Sequence, residues 1–314
     1  MYIGAFDIGG TKTIVALADE TGKIYEKKQF ATNTVSCFRH LDDCVRIFSE
    51  FLKKRDLTTD QIRGVGVNLP GIVDRKKGIL LKAVYAGWHE IPVKNYLQKK
   101  LKISKIVCEN DVNACAEAEL LFGLGKKYHN FAWMTVSTGV GGAVVCDGKL
   151  IRGAHGYAGE FGHLKVEYDN PANCPCGENG CLEAQGSGTA ISRYIKEASD
   201  RKKFSTTEDV LSGVQCAELA RNGEQTALGI YRKAGEYLGR GISYYVNILD
   251  PEAIIIGGGV AAAFDILKSE IRNAIGRYTF SPMKDVIVTT TPLGYEAALM
   301  GAIAIVIAEE SEDK

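Results

Sequence analysis

Apolar and polar positions along this 314-residue chain fall into runs whose order sketches two similar halves. Tyr2 to Asp7 is a short apolar run that breaks at Ile8-Gly9-Gly10. Thr13 to Leu17 is β-branched and apolar and breaks at Thr21-Gly22, and Lys23 to Phe30 alternates apolar with polar. Runs of this length and period predict strands joined by tight turns. The same grammar returns later, weakly but in order: a strand over Phe131 to Thr135, a glycine turn over Ser137 to Gly142, Ala143 to Cys146, a turn at Asp147-Gly148, and Lys149 to Arg152 pairing back. Between and after these hairpins the period changes to that of helices. Cys37 to Lys54 places Phe38, Leu41, Val45, Phe48 and Leu52 on one face. Val93 to Leu101, Val112 to Leu121, Gly188 to Ala198, Cys216 to Asn222 and Ala227 to Ile248 also read as helices. Ile62 to Leu69, Ile103 to Cys108 and Ala253 to Ile256 read as strands. The pattern predicts an α/β protein of two domains built alike, facing each other across a cleft. The N-terminal domain takes 1–115, with a helix over about 296–308 packing back on it, and the C-terminal domain takes 116–295.

Composition narrows the function classes. Lys+Arg and Asp+Glu both number 38, so the basic footprint of a nucleic-acid binder is missing. The most apolar tract, Ala297 to Ala308, is shorter than the roughly 20 residues a membrane span needs and reads as a buried helix. No charged region followed by an apolar one opens the sequence, and nine cysteines without such a signal point to the reducing cytoplasm.

Three of those cysteines sit close together. His163 is followed by Cys174, Cys176 and Cys181, with Pro175 and Gly177 favouring tight turns among them. One imidazole and three thiols at this spacing are the usual ligands of a structural zinc ion. The alternative is a set of buried or disulfide-bonded cysteines, and the other six, Cys37, Cys44, Cys108, Cys115, Cys146 and Cys216, read as small buried apolar residues. Glu160 and Glu183 bracket the cluster. They are suited to hydrogen-bond vicinal hydroxyls, or simply to support the metal and begin a helix. His40, His89, His129 and His155 have no partner at ligand spacing and read as surface or core residues.

Three glycine turns follow strands. In Asp7-Ile8-Gly9-Gly10-Thr11-Lys12, consecutive amides can approach a phosphate, Lys12 adds charge, Thr11 adds a hydroxyl, and Asp7 is suited to a hydrated Mg²⁺; an ordinary hairpin turn reads the same way. Thr138-Gly139-Val140-Gly141-Gly142 is a second phosphate candidate, and Gly257-Gly258-Gly259 a place for a nucleotide's base or ribose. None is a P-loop or a dinucleotide fingerprint. Asn110-Asp111 ends one strand and begins a helix. Asp is a favoured helix cap there, and a carboxylate at a strand end also serves to take a proton from a substrate hydroxyl.

Taken together, these motifs resemble the ROK family of sugar kinases and repressors, within the actin-like ATPase superfamily (a ribonuclease H-like fold). The resemblance runs over about residues 2 to 308 and is carried by the first turn, Glu109 to Ala114, Thr138 to Gly142, Ala158-Gly159-Glu160-Phe161-Gly162-His163 and the cysteine cluster through Glu183. It implies an ATP- and Mg²⁺-dependent hexose kinase, glucokinase-like and acting on the 6-hydroxyl. Asp111 would be the general base, and Asn110, Glu160, His163 and Glu183 the sugar contacts. Asp7, Gly9, Gly10, Thr11, Lys12, Thr138, Gly139 and Gly257 to Gly259 would hold ATP, with zinc on His163, Cys174, Cys176 and Cys181. It implies a homodimer or homotetramer. Tyr85-Ala86-Gly87-Trp88 departs from the Asn-Leu that many family glucokinases carry ahead of Gly-Trp, which opens N-acetylmannosamine, N-acetylglucosamine, mannose and fructose as alternative substrates. The family's repressors carry a winged helix-turn-helix ahead of the first turn. Asp7 stands seven residues from the start, so the expectation is an enzyme rather than a non-catalytic sugar sensor or regulator.

Overall fold

Each apolar run predicted as a strand pairs into one of two sheets of the same design. The computed structural model describes residues 1–205 and 212–312 and divides into two compact units. The first comprises Met1–Lys127, Leu150–Ala158 and Glu296–Lys314, and the second Tyr128–Lys149 and Gly159–Tyr295. Where the sequence pattern divides the chain at 115/116, the first unit runs on through Lys127, because helix Asp111–Phe122 packs against the last helix of the chain.

In the first unit, strands β1 (Tyr2–Ile8), β2 (Lys12–Asp19) and β3 (Ile24–Ala31) form an antiparallel meander. On its other edge β1 pairs in parallel with β4 (Ile62–Leu69). A small antiparallel sheet of β5 (Ile72–Asp74), β6 (Ile79–Ala83) and β7 (Trp88–Ile91), which the sequence pattern did not reveal, precedes β8 (Ile106–Asn110), the parallel partner of β4. Strand order is β3-β2-β1-β4-β8. A second sheet repeats this order as β11-β10-β9-β12-β13, from β9 (Phe131–Val136), β10 (Val140–Cys146), β11 (Lys149–Ile151), β12 (Ala253–Gly257) and β13 (Ile287–Thr290), all of it but Leu150 and Ile151 in the second unit.

Helices cover these sheets: α1 (Cys37–Lys54), α2 (Val93–Leu101), α3 (Asp111–Phe122), α4 (Leu182–Gly186), α5 (Gly188–Asp200), α6 (Gly213–Arg221), α7 (Gln225–Leu249), α8 (Phe264–Tyr278) and α9 (Ala297–Glu312). Side chains of a strand alternate between faces. Phe6 and Ile8 of β1 therefore pack with α1 and α2, while Ile3 and Ala5 pack with α9. In the second unit Ala132, Met134, Ile254 and Ile256 pack with α5 to α8. The buried stripe of α1 is Cys37, His40, Leu41, Cys44, Ile47, Phe48, Phe51 and Leu52; Phe38, expected on it, is exposed and packs on Tyr96 instead. Close approach is enforced by glycine where α9 crosses the sheet: a Cβ on Gly66 would strike the Ala302 carbonyl, and one on Gly301 would lie 2.6 Å from the Ala114 backbone. Among the described residues no helix is long and apolar enough to cross a membrane.

Sheet register sets out the chemistry of the first unit. Asp7 pairs with Asn68, and Asn68 with Glu109, so three polar side chains stand in a row at the carboxyl ends of β1, β4 and β8. In open α/β sheets ligands bind at those ends.

Candidate active site

The Asp7–Lys12 turn is closed by Gly9 N–H donating to the Lys12 carbonyl at 2.9 Å. A Cβ on Gly9 would lie 2.8 Å from that carbonyl oxygen, whereas one on Gly10 would meet only the Tyr85 ring at an ordinary 3.5 Å. Glycine is thus sterically required at position 9 alone. Thr11 and Lys12 are exposed at the tip. Burial pushes the half-buried Asp7 carboxyl up to about 6, against the opposing effects of a hydrogen bond with Asn68 and the Lys12 charge. A divalent cation held there would reverse that shift, so this carboxylate fits a cation-binding role.

At the start of α3 the structure corrects the expectation that Asp111 caps the helix. Asn110, in extended conformation, is the cap: its Oδ1 accepts from Val112 N at 2.9 Å and Asn113 N at 3.2 Å. Its Nδ2 donates to the Gly71 carbonyl at 3.1 Å. Asp111 is the first helical residue, half-buried, with Oδ1 accepting from Val112 N at 3.1 Å. Helix initiation therefore does not depend on the Asp111 carboxylate. Just before it, Glu109 is buried and clamped by two guanidinium groups, Arg152 Nε at 2.8 Å and Arg75 Nε at 3.2 Å. Sequence reasoning passed over Glu109 as a site residue; its one signal is a carboxylate inside an otherwise apolar strand.

In the second unit the turn is shorter than the glycine run suggested. β10 begins at Val140, so only Ser137 to Gly139 form the bend, and a Cβ on Gly142 would collide with the Phe161 ring. The start of α5 holds this bend: Gly188 N donates to the Ser137 carbonyl at 2.7 Å, and Thr189 Oγ1 to the Thr138 carbonyl at 2.8 Å. Glu183 Oε2 accepts from Val140 N at 3.1 Å and fills the space a side chain at position 139 would need. Beside the bend is a cavity of about 500 Å³ whose lining includes Ser137, Thr138, Thr189, Tyr231, Gly259 and Val260. The glycines at 257 to 259 do different work. Gly257 makes room for the Trp133 ring, Gly258 adopts φ +86°, and Gly259 presents open backbone to the cavity.

His163, Cys174, Cys176 and Cys181 come together with their ligand atoms all within 4.8 Å of one another. His163 Nδ1 lies 3.8 Å from Cys174 Sγ, and Cys176 Sγ lies 3.8 Å from Cys181 Sγ. A disulfide would need about 2.05 Å, whereas two sulfurs on a tetrahedral ion with bonds of about 2.3 Å stand about 3.8 Å apart. The donor set and spacing fit a tetrahedral metal site. Burial pushes the Cys174 thiol up to about 12. Burial also works against the Cys176 thiolate, but the Glu178 amide, the neighbouring thiols and Lys165 outweigh it and leave Cys176 below its ordinary value. Lys165 Nζ stands 3.3 Å from Cys181 Sγ. His163 Nε2 points the other way, 3.8 Å from the exposed Glu160 carboxylate. Cys181 is also the N-cap of α4, so the cluster, Glu183 and the Ser137–Gly139 bend form one connected piece. Of the remaining cysteines five are buried as expected, while Cys146 is half-buried.

Two α/β units, each with an antiparallel meander leading into parallel strands, define an actin-like ATPase fold. The ROK family profile matches residues 3–309, and the chain belongs to the ROK family. It is 33% identical over 309 residues to a glucokinase of Thermotoga maritima, covering 96% of this chain and 95% of that one. A xylose repressor of Caldicellulosiruptor bescii is 27% identical over 96% of this chain and 77% of its own. Among solved structures, a ROK family glucokinase from Streptomyces griseus in complex with glucose and AMPPNP superposes with TM-score 0.80 at 29% identity, covering 99% of this chain and all of that one.

Proposed function

We propose that this protein is an ATP- and Mg²⁺-dependent sugar kinase that phosphorylates a hexose, glucose at the 6-hydroxyl first among them. The observation that carries the reading is the cavity shared by Thr138 and Gly259, two positions assigned to nucleotide binding from sequence. Its volume suits a nucleoside. Asp7 holds the magnesium through its carboxylate, and the Gly9–Lys12 turn and the Thr138-Gly139 bend take the phosphates. Magnesium, when bound, neutralises charge developing on the transferred phosphoryl group. Asp111 accepts the proton of the attacking hydroxyl. Asn110, Glu160, His163 and Glu183 hold sugar hydroxyls. For Asn110 the available donor is constrained, since its oxygen caps α3; Glu183 keeps one carboxylate oxygen for a ligand while the other holds Val140. His163, Cys174, Cys176 and Cys181 hold zinc, which fixes the segment that bears Glu160 and Glu183.

A coupled assay of ADP release over glucose, mannose, fructose, N-acetylglucosamine and N-acetylmannosamine tests this reading. Sugar-dependent release is expected, greatest with glucose. The identity to a xylose repressor supports a second reading, a sugar-responsive regulator. Clear sugar binding without ADP release from any sugar would establish that reading in place of the kinase. Assembly as a homodimer or homotetramer belongs to the first reading and is checked by light scattering.

A further inference from the structure

Beneath the Asp7–Lys12 turn runs a chain of hydrogen bonds whose direction is fixed by its two ends. Thr32 Oγ1 lies 2.7 Å from the Gly9 carbonyl, and Thr32 N donates to the Thr11 carbonyl at 3.0 Å. Thr13 Oγ1 stands 2.9 Å from Thr32 Oγ1, and His40 Nε2 2.8 Å from Thr13 Oγ1. At the far end Asn33 N lies 3.2 Å from His40 Nδ1. A carbonyl only accepts, so the Thr32 hydroxyl donates to Gly9 and must accept from Thr13. Thr13 has then given its one proton and must accept from His40 Nε2–H. The Asn33 amide only donates, so His40 Nδ1 carries no proton. Both ends therefore demand the same species, the neutral Nε2–H tautomer. Thr13 and His40 are fully buried, and the rings of Phe30 and Trp88 flank the imidazole at 5.3 and 6.1 Å. Burial favours the neutral ring, with Asp43 opposing.

In a planar trans peptide the carbonyl and the following N–H point in opposite directions. Holding the Gly9 and Thr11 carbonyls against Thr32 therefore turns the amides of Gly10 and Lys12 away from β3. We propose that Thr32, oriented through Thr13 by His40, is a positioning residue for the nucleotide: it presets the peptide planes of the first glycine turn for the phosphates of ATP. This inference rests on the assignment of that turn to phosphate. Presetting donors reduces the ordering cost of binding, so loss of the Thr32 hydroxyl weakens nucleotide binding and leaves the sugar site alone.

The test is calorimetric titration of the full chain with Mg·AMPPNP and, separately, with glucose or whichever sugar the wild type binds. Thr32→Val, which keeps the shape but not the hydroxyl, is expected to weaken Mg·AMPPNP about 5- to 10-fold. Sugar affinity should stay at the wild-type value, and Thr32→Ser should restore most of the lost nucleotide affinity. Nucleotide affinity in Thr32→Val within about 2-fold of wild type overturns the proposal. A parallel fall in nucleotide and sugar affinity also overturns it, since that is the mark of a general brace. Should Thr32→Val fail to fold, His40→Leu against His40→Gln gives the same contrast, because glutamine can still donate an N–H to Thr13. Wild-type protein that takes up no Mg·AMPPNP would instead remove the turn's assignment itself, a distinct outcome.

Discussion

Arg152 Nε is 2.8 Å from Glu109 Oε2, although Arg152 follows β11 and Glu109 sits on β8, two positions immediately before Asp111. The same guanidinium reaches Glu117 Oε1 at 3.0 Å, and Arg75 bridges Glu109 to Glu309 at 2.7 Å. Glu109 further accepts from the Asn110 backbone at 2.9 Å. With Glu109 and Glu117 buried, this is a network in which removing one charge leaves another uncompensated. Glu109→Gln is expected to cost about 3–5 kcal/mol in urea unfolding. A loss under about 1 kcal/mol would mean that the guanidinium groups do not depend on this carboxylate.

Asp111 is assigned the proton-accepting role, and the cap geometry makes the assignment unusually clean to test. Because Asn110 supplies the cap bonds, Asp111→Asn should leave α3 and the melting temperature nearly unchanged. Turnover should fall at least about 100-fold, with sugar affinity kept. A variant that turns over near the wild-type rate would remove Asp111 from the mechanism.

Much of this was legible in the chain, and the omissions share a cause. The limits of α1, α2 and β4 follow from hydrophobic period alone, and the His163–Cys181 cluster from ligand spacing. The small β5-β6-β7 sheet escaped notice because its strands are short and lack a two-residue period strong enough to stand out. Glu109, Arg75 and Arg152 are far apart in sequence, so nothing local announces that burial will force them together. His40 looked like an unpartnered histidine because its partners Thr13 and Asn33 come from β2 and the segment after β3. The substitution of cap residue, Asn110 for Asp111, depends on one residue's backbone angles, which composition does not specify.

The Asp7 carboxyl gives a pH dependence of stability with a definite sign. Its folded-state value is about 6 against an ordinary 3.8. A carboxyl raised in this way favours the folded state while protonated, and that contribution is lost as pH rises through about 6. Asp7→Asn should therefore stabilise the ligand-free protein by on the order of 2–3 kcal/mol at pH 7.5. The gain should shrink toward zero as pH falls to about 4. Urea unfolding of both proteins across this range, without magnesium or nucleotide, is the measurement. A difference that does not change with pH would show that burial of the charge is not its source.

On the proposed assignments, the His163–Cys181 cluster would tie folding to sugar recognition through a short covalent path. Cys181 caps α4, Glu183 lies in the first turn of that helix, and His163 turns one nitrogen to Cys174 and the other toward Glu160. If zinc holds these four ligands, Cys176→Ala removes an exposed thiol whose own packing contribution is small, yet it should release the metal. Zinc per chain, measured by mass spectrometry on freshly purified protein, is expected to drop from about one to near zero. Sugar affinity should fall with it, because the segment bearing Glu160 and Glu183 loses its anchor. Nucleotide affinity should fall less, since α5 anchors the Ser137–Gly139 bend a second time through Gly188 and Thr189, apart from its tie to the cluster through Glu183. Wild-type protein that contains no zinc would refute the metal assignment. A Cys176→Ala protein that loses zinc but binds sugar as before would separate the metal from the sugar site.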